Sequence, residues 1–189
     1  TGASSGMGRE FVLQLSRQEP FEEIWVIARR AERLEELKQL VSTPLRIVPL
    51  DLSAKPGWDA YAALLAAEKP DVRVLVNASG FGRFGTYADI PLSDSLAMID
   101  LNCKGLVAMT ELTLPYMHEG AKILQLDSLS SFQPVPYINV YGATKAFVLS
   151  YARALNVELK PRKIRCMAMC PGWVQTEFFD HAIQKGSDA

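Results

Sequence analysis

Along the chain, short runs rich in β-branched and aliphatic residues alternate with longer stretches in which apolar positions recur every three or four residues. The runs at 24–28, 45–50, 72–77, 121–127 and 163–170 read as strands, several of them apolar at successive positions, as strands buried on both faces of a parallel sheet are. Residues 7–18, 31–41, 58–68, 94–118 and 139–160 read as helices; Leu34, Leu37 and Val41 give the second an i, i+3, i+7 stripe. Strand and helix alternating in this order predict an α/β, doubly wound fold: a parallel sheet flanked by helices on both faces. No repeat or long linker divides the chain, so residues 1–189 are expected to form a single domain.

The glycine-rich start disturbs this picture. Gly2, Gly6 and Gly8 should follow a strand, and only Thr1 precedes them, so a central strand is expected ahead of Thr1. A terminal strand with its preceding segment is likewise expected beyond Ala189.

Composition narrows the function. The 189 residues carry 20 Lys+Arg against 21 Asp+Glu, a net charge of −1, and no strongly basic surface for nucleic acid or an anionic membrane is expected. The longest unbroken apolar run, Ala60 to Ala67, is far short of the roughly 20 residues of a membrane-spanning helix. Cys103, Cys166 and Cys170 form an odd set without CxxC spacing, which suggests neither a disulfide framework nor a metal site and fits a reducing, cytoplasmic location.

Thr1 to Gly8 has the spacing G-x3-G-x-G and runs directly into an amphipathic stretch carrying Phe11, Val12 and Leu15. Glycines let backbone approach something closely and free the amides of a helix N-terminus, whose partial positive charge suits a pyrophosphate. Ser4 and Ser5 can cap the helix or bond a phosphate, and Met7 opens its first turn. By itself the same spacing also fits a tight strand-to-helix turn. After the strand at 24–28 stand Arg29 and Arg30, where an NAD site would have an acid for the adenine ribose hydroxyls. A guanidinium there accommodates a 2′-phosphate, which points to NADP; the alternative is a solvated pair facing Glu32 or Glu35.

Tyr141 and Lys145 are four apart at the start of a helical stretch and share a face. A tyrosine of pKa about 10 becomes a useful acid-base group when a neighbouring cation stabilises its phenolate. Ser128 closes the strand before them, at the end where an open α/β sheet presents ligands, and its hydroxyl could orient a carbonyl oxygen.

Together these residues resemble the short-chain dehydrogenase/reductase family over nearly the whole chain. Thr1 to Gly8 matches its TGxxxGxG pattern, Asp51 and Leu52 its acid after the third strand, and Asn77-Ala-Ser-Gly80 its Asn-Asn-Ala-Gly stretch. Asn102, Ser128, Tyr141 and Lys145 match its tetrad, and Pro171 to Thr176 its Pro-Gly-x-Val-x-Thr segment. Departures are Ala78 and Ser79, and Asp127 where a second Ser is common. The resemblance implies a Rossmann fold and hydride transfer between C4 of NADP(H) and a carbonyl or secondary alcohol carbon. Tyr141 would then protonate the alkoxide, Ser128 would bond the same oxygen, and Lys145 would hold the nicotinamide ribose and lower the Tyr141 pKa. Asn102 would anchor a water that relays protons to Lys145. Asp51 would bond the adenine edge, Asn77, Ala78, Ser79 and Gly80 would pass the ribose region, and Pro171, Gly172, Val174 and Thr176 would line the nicotinamide end.

Other residues are open to plainer readings. His118 and His181 lie outside the matched motifs and are read as exposed or structural. Cys166 and Cys170, four apart on one strand, should share a face and pack. Trp173, Phe178 and Phe179 begin an apolar lid or simply pack, and Phe81, Phe84 and Tyr87 could flank the same cleft. These aromatics hint at a hydrophobic ketone, such as a 3-oxoacyl chain or a steroid. Phe147, Tyr151, Ala154 and Leu155 on the last long helix suggest a homodimer or homotetramer seam. The alternative function is a non-catalytic dinucleotide-sensing module; sugar-nucleotide epimerase chemistry is disfavoured because it would ordinarily show G-x2-G-x2-G spacing.

Overall fold

The computed structural model describes residues 1–18 and 20–182 of the chain. Its elements follow the order α1 (Gly6–Gln18), β1 (Ile24–Ala28), α2 (Ala31–Lys38), β2 (Leu45–Pro49), α3 (Lys55–Glu68), β3 (Val74–Asn77) and α4 (Leu92–Ile99). Next come α5 (Leu106–Thr113), β4 (Lys122–Leu126), α6 (Asn139–Glu158), β5 (Arg165–Met169) and a short α7 (Phe178–Ala182). Every strand pair is parallel, as the alternating pattern predicts.

The alternation of side chains along a strand explains the layers. On β1, Val26 and Ala28 join Val12 of α1 with Leu34 and Leu37 of α2 in one cluster. Ile27, pointing the other way, packs with Tyr61 and Leu65 of α3 and Met109 of α5. On the second of these faces, Leu75, Ile123 and Cys166 of β3, β4 and β5 meet Ala152 and Leu155 of α6. The alternate positions of β5 differ from the expectation of a strand buried on both sides: Arg165 and Met167 are exposed, Met167 at 55%.

The described strands form two hydrogen-bonded groups, β1–β2 and β3–β4–β5. Thr1 to Ala3 bridge them. The Thr1 backbone nitrogen donates to the Val76 carbonyl at 2.6 Å, and Ala3 is buried with Val26 and Ala28 of β1.

Three helices depart from the sequence reading. α2 ends at Lys38, three residues before the expected Val41, which packs on the same cluster as Leu34 and Leu37 from beyond the helix. α3 starts at Lys55, three residues before the expected Trp58, because Pro56 is tolerated in a first turn and Gly57 lets the backbone pass the Asp51 carbonyl, which a Cβ would meet at 1.9 Å. The stretch expected as one helix over 94–118 is α4, a π-helical segment Asp100–Gly105, α5 and a 3₁₀ turn Leu114–Tyr116. The wider turn falls on Asn102, Cys103 and Gly105, which are buried. Such insertions often mark functional sites.

Candidate active site

Because the strands are parallel, the loops leaving their carboxyl ends share one edge, and this is where the expected site residues gather. Gly2 and Gly6 adopt left-handed φ of 67° and 52°. A Cβ on Gly2 would come within 2.6 Å of the Ala78 carbonyl oxygen, and one on Gly8 within 2.3 Å of the Gly2 carbonyl oxygen. The loop is therefore the tight turn of one reading, and it runs straight into α1, whose first amides have no partner within the helix, as the phosphate reading also requires. Met7 is half-buried in that first turn.

Of the two arginines, Arg30 reaches this loop: its Nη2 donates to Ser4 Oγ at 3.2 Å and Ser5 Oγ at 3.1 Å. Arg29 is exposed and lies near enough to Asp51 for its charge to help keep that carboxyl below its usual range, after the Ser53 hydroxyl and amide at 2.7 and 2.9 Å. Leu52 is a correction: its side chain is in the core with Tyr61 and Leu65, and its carbonyl accepts from Trp58 Nε1 at 2.8 Å.

Asn77 is corrected too. Its side chain turns into the interior, where Nδ2 donates to Thr110 Oγ1 at 2.9 Å and Gln125 Oε1 at 3.0 Å, so it braces the strand end from behind. The next two amides, of Ala78 and Ser79, are held by Thr1 Oγ1 at 3.1 and 3.2 Å. Gly80 passes between two candidate groups, since a Cβ there would lie 3.0 Å from Asn102 Oδ1 and 3.9 Å from Lys145 Nζ. The Asn102 amide bonds both backbone groups of Phe81, accepting from N at 3.1 Å and donating to O at 2.9 Å, and donates to Thr144 Oγ1 at 3.1 Å. Its side chain is thus a clamp between the 78–81 loop and α6.

Ser128, Tyr141 and Lys145 meet as expected. Ser130, which sequence reading missed, fills the acceptor side of Ser128 Oγ with its amide at 3.2 Å and its hydroxyl at 3.0 Å. A hydroxyl has one proton and two lone pairs, so Ser128, with Ser130 on its acceptor side, keeps its proton free to donate close to the Tyr141 phenol. Lys145 is fully enclosed; its Nζ donates to the Leu126 carbonyl at 2.7 Å and stands 5.6 Å from the Tyr141 ring centroid. Burial lowers the Lys145 pKa to about 8, against the opposing pull of Asp127.

The expected depression of the Tyr141 pKa by Lys145 does not hold in this arrangement. Burial, with the nearby Asp127 charge adding to it, pushes the phenol up to about 12 despite the opposing influence of the Ser128 hydroxyl. The phenol is protonated at neutral pH, as a proton donor needs to be. Asp127 itself is buried, and desolvation raises its carboxyl; Oδ2 accepts from the Cys170 thiol at 3.3 Å. Cys170 therefore sits past the end of β5 and does not share the packing of Cys166, whose neighbours are Ile123 and Ala152. Burial pushes both thiols up to about 11, away from redox reactivity.

The 171–182 segment closes over the edge. The Pro171 carbonyl accepts from the Leu129 amide at 3.0 Å, Gly172 lies against Leu129, and Val174 is exposed. Thr176 packs on Gly6, 3.5 Å from where its Cβ would be, and its Oγ1 accepts from the Phe178 amide at 3.3 Å, capping α7. Phe178 lies on Tyr141 with ring centroids 5.5 Å apart, while Phe179 stacks on Trp173 at 5.2 Å and on Phe84 at 6.1 Å. Tyr87 does not join this group and stands exposed, as does His118; the side chain of His181 lies outside the described residues.

The sequence profile of the short chain dehydrogenase family matches residues 1–186. The chain belongs to this family. As a short-chain dehydrogenase it is an oxidoreductase with a Rossmann fold. It is 34% identical over 195 residues to the NADP-dependent 3-hydroxy acid dehydrogenase YdfG of Escherichia coli, a match spanning 100% of this chain and 76% of that one. Among solved structures, the closed form of serine dehydrogenase complexed with NADP+ is similar at 33% identity and a TM-score of 0.84, over 96% of this chain and 74% of that one. A short-chain dehydrogenase from Sphingobium yanoikuyae in complex with NADPH superposes with a TM-score of 0.85 at 26% identity, over 96% and 72% of the two chains. No helix among the described residues of this short-chain dehydrogenase is long and apolar enough to cross a membrane.

Three polar residues of the edge escaped the sequence reading: Ser130, Arg33 and Glu177. Ser130 had a signal in its place two residues past Ser128. Arg33 and Glu177 had none, because their relevance depends on a contact between residues 144 positions apart.

Proposed function

We propose that the chain is an NADPH-dependent carbonyl reductase in which Tyr141 is the proton donor. One observation carries this reading: a protonated, buried phenol lies close to the Ser128 hydroxyl and has the Lys145 ammonium beside its ring. The bound nicotinamide would supply the hydride. Around it, Tyr141 gives its proton to the alkoxide oxygen that forms, and Ser128, held by Ser130, bonds the same oxygen. Lys145, its ammonium beside the ring and tied to the Leu126 carbonyl, would hold the nicotinamide ribose. Asn102 holds the 78–81 loop at its distance from Lys145. No member of this set is missing, which leaves a non-catalytic module without support.

The glycine cradle and the donors of Ser4, Ser5 and Arg30 fit a dinucleotide with a phosphorylated ribose. The NADP named with the relatives at 33% and 34% identity supports this choice. Titration with NADPH and NADH tests it: NADPH should bind more tightly, and substituting Arg29 and Arg30 should erase the difference.

The rings of Phe84, Phe178, Phe179 and Trp173 favour an apolar ketone as substrate. A second reading, a small 3-hydroxy acid, draws on the activities named for the two relatives above. Following NADPH oxidation with 3-oxoacyl, steroid and aromatic ketones, and NADP+ reduction with 3-hydroxy acids, separates them. We also place a homodimer or homotetramer seam on α4 and α6, where Leu92, Leu96, Phe147 and Val157 are exposed; Leu155 is in the core and takes no part. Light scattering showing only monomer at micromolar concentration would remove the seam.

A further inference from the structure

The carboxylate of Glu177 sits between two guanidiniums. Its Oε1 meets Arg33 Nη1 at 2.5 Å and its Oε2 meets Arg30 Nη1 at 3.5 Å. Arg30 in turn donates through Nη2 to the hydroxyls of Ser4 and Ser5 on the glycine loop. Arg30, Arg33, Ser4 and Ser5 thus surround one small anion site, and the occupant is a carboxylate of the chain itself, brought over by the segment after β5.

We propose that Glu177 is an internal competitor for the 2′-phosphate of the cofactor, and that Arg33 is a second phosphate-binding residue of the same site. The inference rests on the NADPH reading above. Charge favours exchange: one carboxylate balances half of the two guanidinium charges, whereas a phosphomonoester carries about −1.5 to −2 at neutral pH and presents three acceptor oxygens. Geometry favours it too. Neither guanidinium grips Glu177 through the paired hydrogen bonds of a bidentate fork: Arg33 gives one hydrogen bond, and Arg30 only an ion pair at 3.5 Å. The pair is also about 40% exposed, where an ion pair contributes little, so displacement is inexpensive. The Arg33 and Arg30 contacts hold the Glu177 carboxyl below its usual range, and it stays charged, and competing, through neutral pH.

An unphosphorylated ribose gains nothing from displacing Glu177. Binding of 2′,5′-ADP and 5′-ADP to the full chain, by calorimetry, isolates this term from the rest of the cofactor. Glu177→Gln and Glu177→Ala should each tighten 2′,5′-ADP about two- to fivefold, the factor available from an exposed ion pair, and leave 5′-ADP unchanged. Arg33→Met should weaken 2′,5′-ADP about tenfold and leave 5′-ADP alone. If the parent prefers 2′,5′-ADP and the Glu177 variants do not bind it more tightly, the competition is wrong while the NADPH reading stands. Weaker 5′-ADP binding in the Glu177 variants would make Glu177 a ribose ligand and overturn the proposal. If the parent and both Glu177 variants bind the two nucleotides equally, the phosphate site and the NADPH reading fall together. A preference that emerges only in the variants would uphold the competition and remove the selectivity.

Discussion

The ammonium of Lys145 lies 5.6 Å from the centroid of the Tyr141 ring, yet it donates to the carbonyl of Leu126, at 2.7 Å. The cation is thus tied to the end of β4 and buried, and burial brings its pKa down from 10.5 to about 8. Between those two values the unfolded chain holds a proton that the native protein has released, so this group makes stability rise with pH across that window. Below about 8 both forms are charged and the burial cost is constant. Urea denaturation of the parent and of Lys145→Met should give a stability difference, parent minus variant, that is flat up to pH 8 and climbs above it. A difference that stays flat beyond pH 9 would show that the ammonium is not desolvated.

Tyr141→Phe should remove turnover and keep the cofactor. The ring still packs on Phe178, but the positioned acid is gone, a loss of about 10² to 10⁴ in rate. Stopped-flow NADPH oxidation alongside cofactor titration checks both halves. More than about a tenth of the parent rate would assign the proton to another group.

Asp127→Asn should move Lys145 further from its usual value. The carboxylate is the first group opposing the depression of the Lys145 pKa by burial, and the amide removes its charge at similar size. In the parent, the ε-carbon of an isotopically labelled Lys145 should titrate near 8, and in the variant at lower pH. An unchanged midpoint would mean that the Asp127 proton is already in place at neutral pH.

Gly8→Ala and Gly6→Ala should differ. At Gly8 the new methyl would sit 2.3 Å from the Gly2 carbonyl oxygen, backbone against backbone, so the loop must shift, costing roughly 1–3 kcal/mol and loosening the cofactor. At Gly6 the nearest atom is 3.5 Å away, and only the left-handed φ of 52° opposes the change, at about 1–2 kcal/mol. Urea denaturation ranks the stabilities and NADPH titration the loops; a greater loss of NADPH affinity at Gly6 would contradict the close approach at Gly8.

The elements and their parallel order were legible in the sequence because burial leaves a local record. Val26 and Ile27 face opposite layers, and both are apolar, so β1 reads as a strand with two buried faces before any contact is known. Tyr141 and Lys145 were legible for the same local reason, a shared helix face, and Ser128 because it ends a strand. What the sequence could not settle depends on distance and solvent rather than spacing. Asn77 matches a cofactor motif and turns into the core, where Thr110 and Gln125 accept from its amide nitrogen. The Tyr141 pKa goes up although a lysine lies one turn away, because burial outweighs the help the phenol receives. Arg30 and Arg33 meet Glu177 only because the loop after β5 and the helix after β1 leave the sheet at the same edge, and that adjacency exists only once the strands have assembled in parallel.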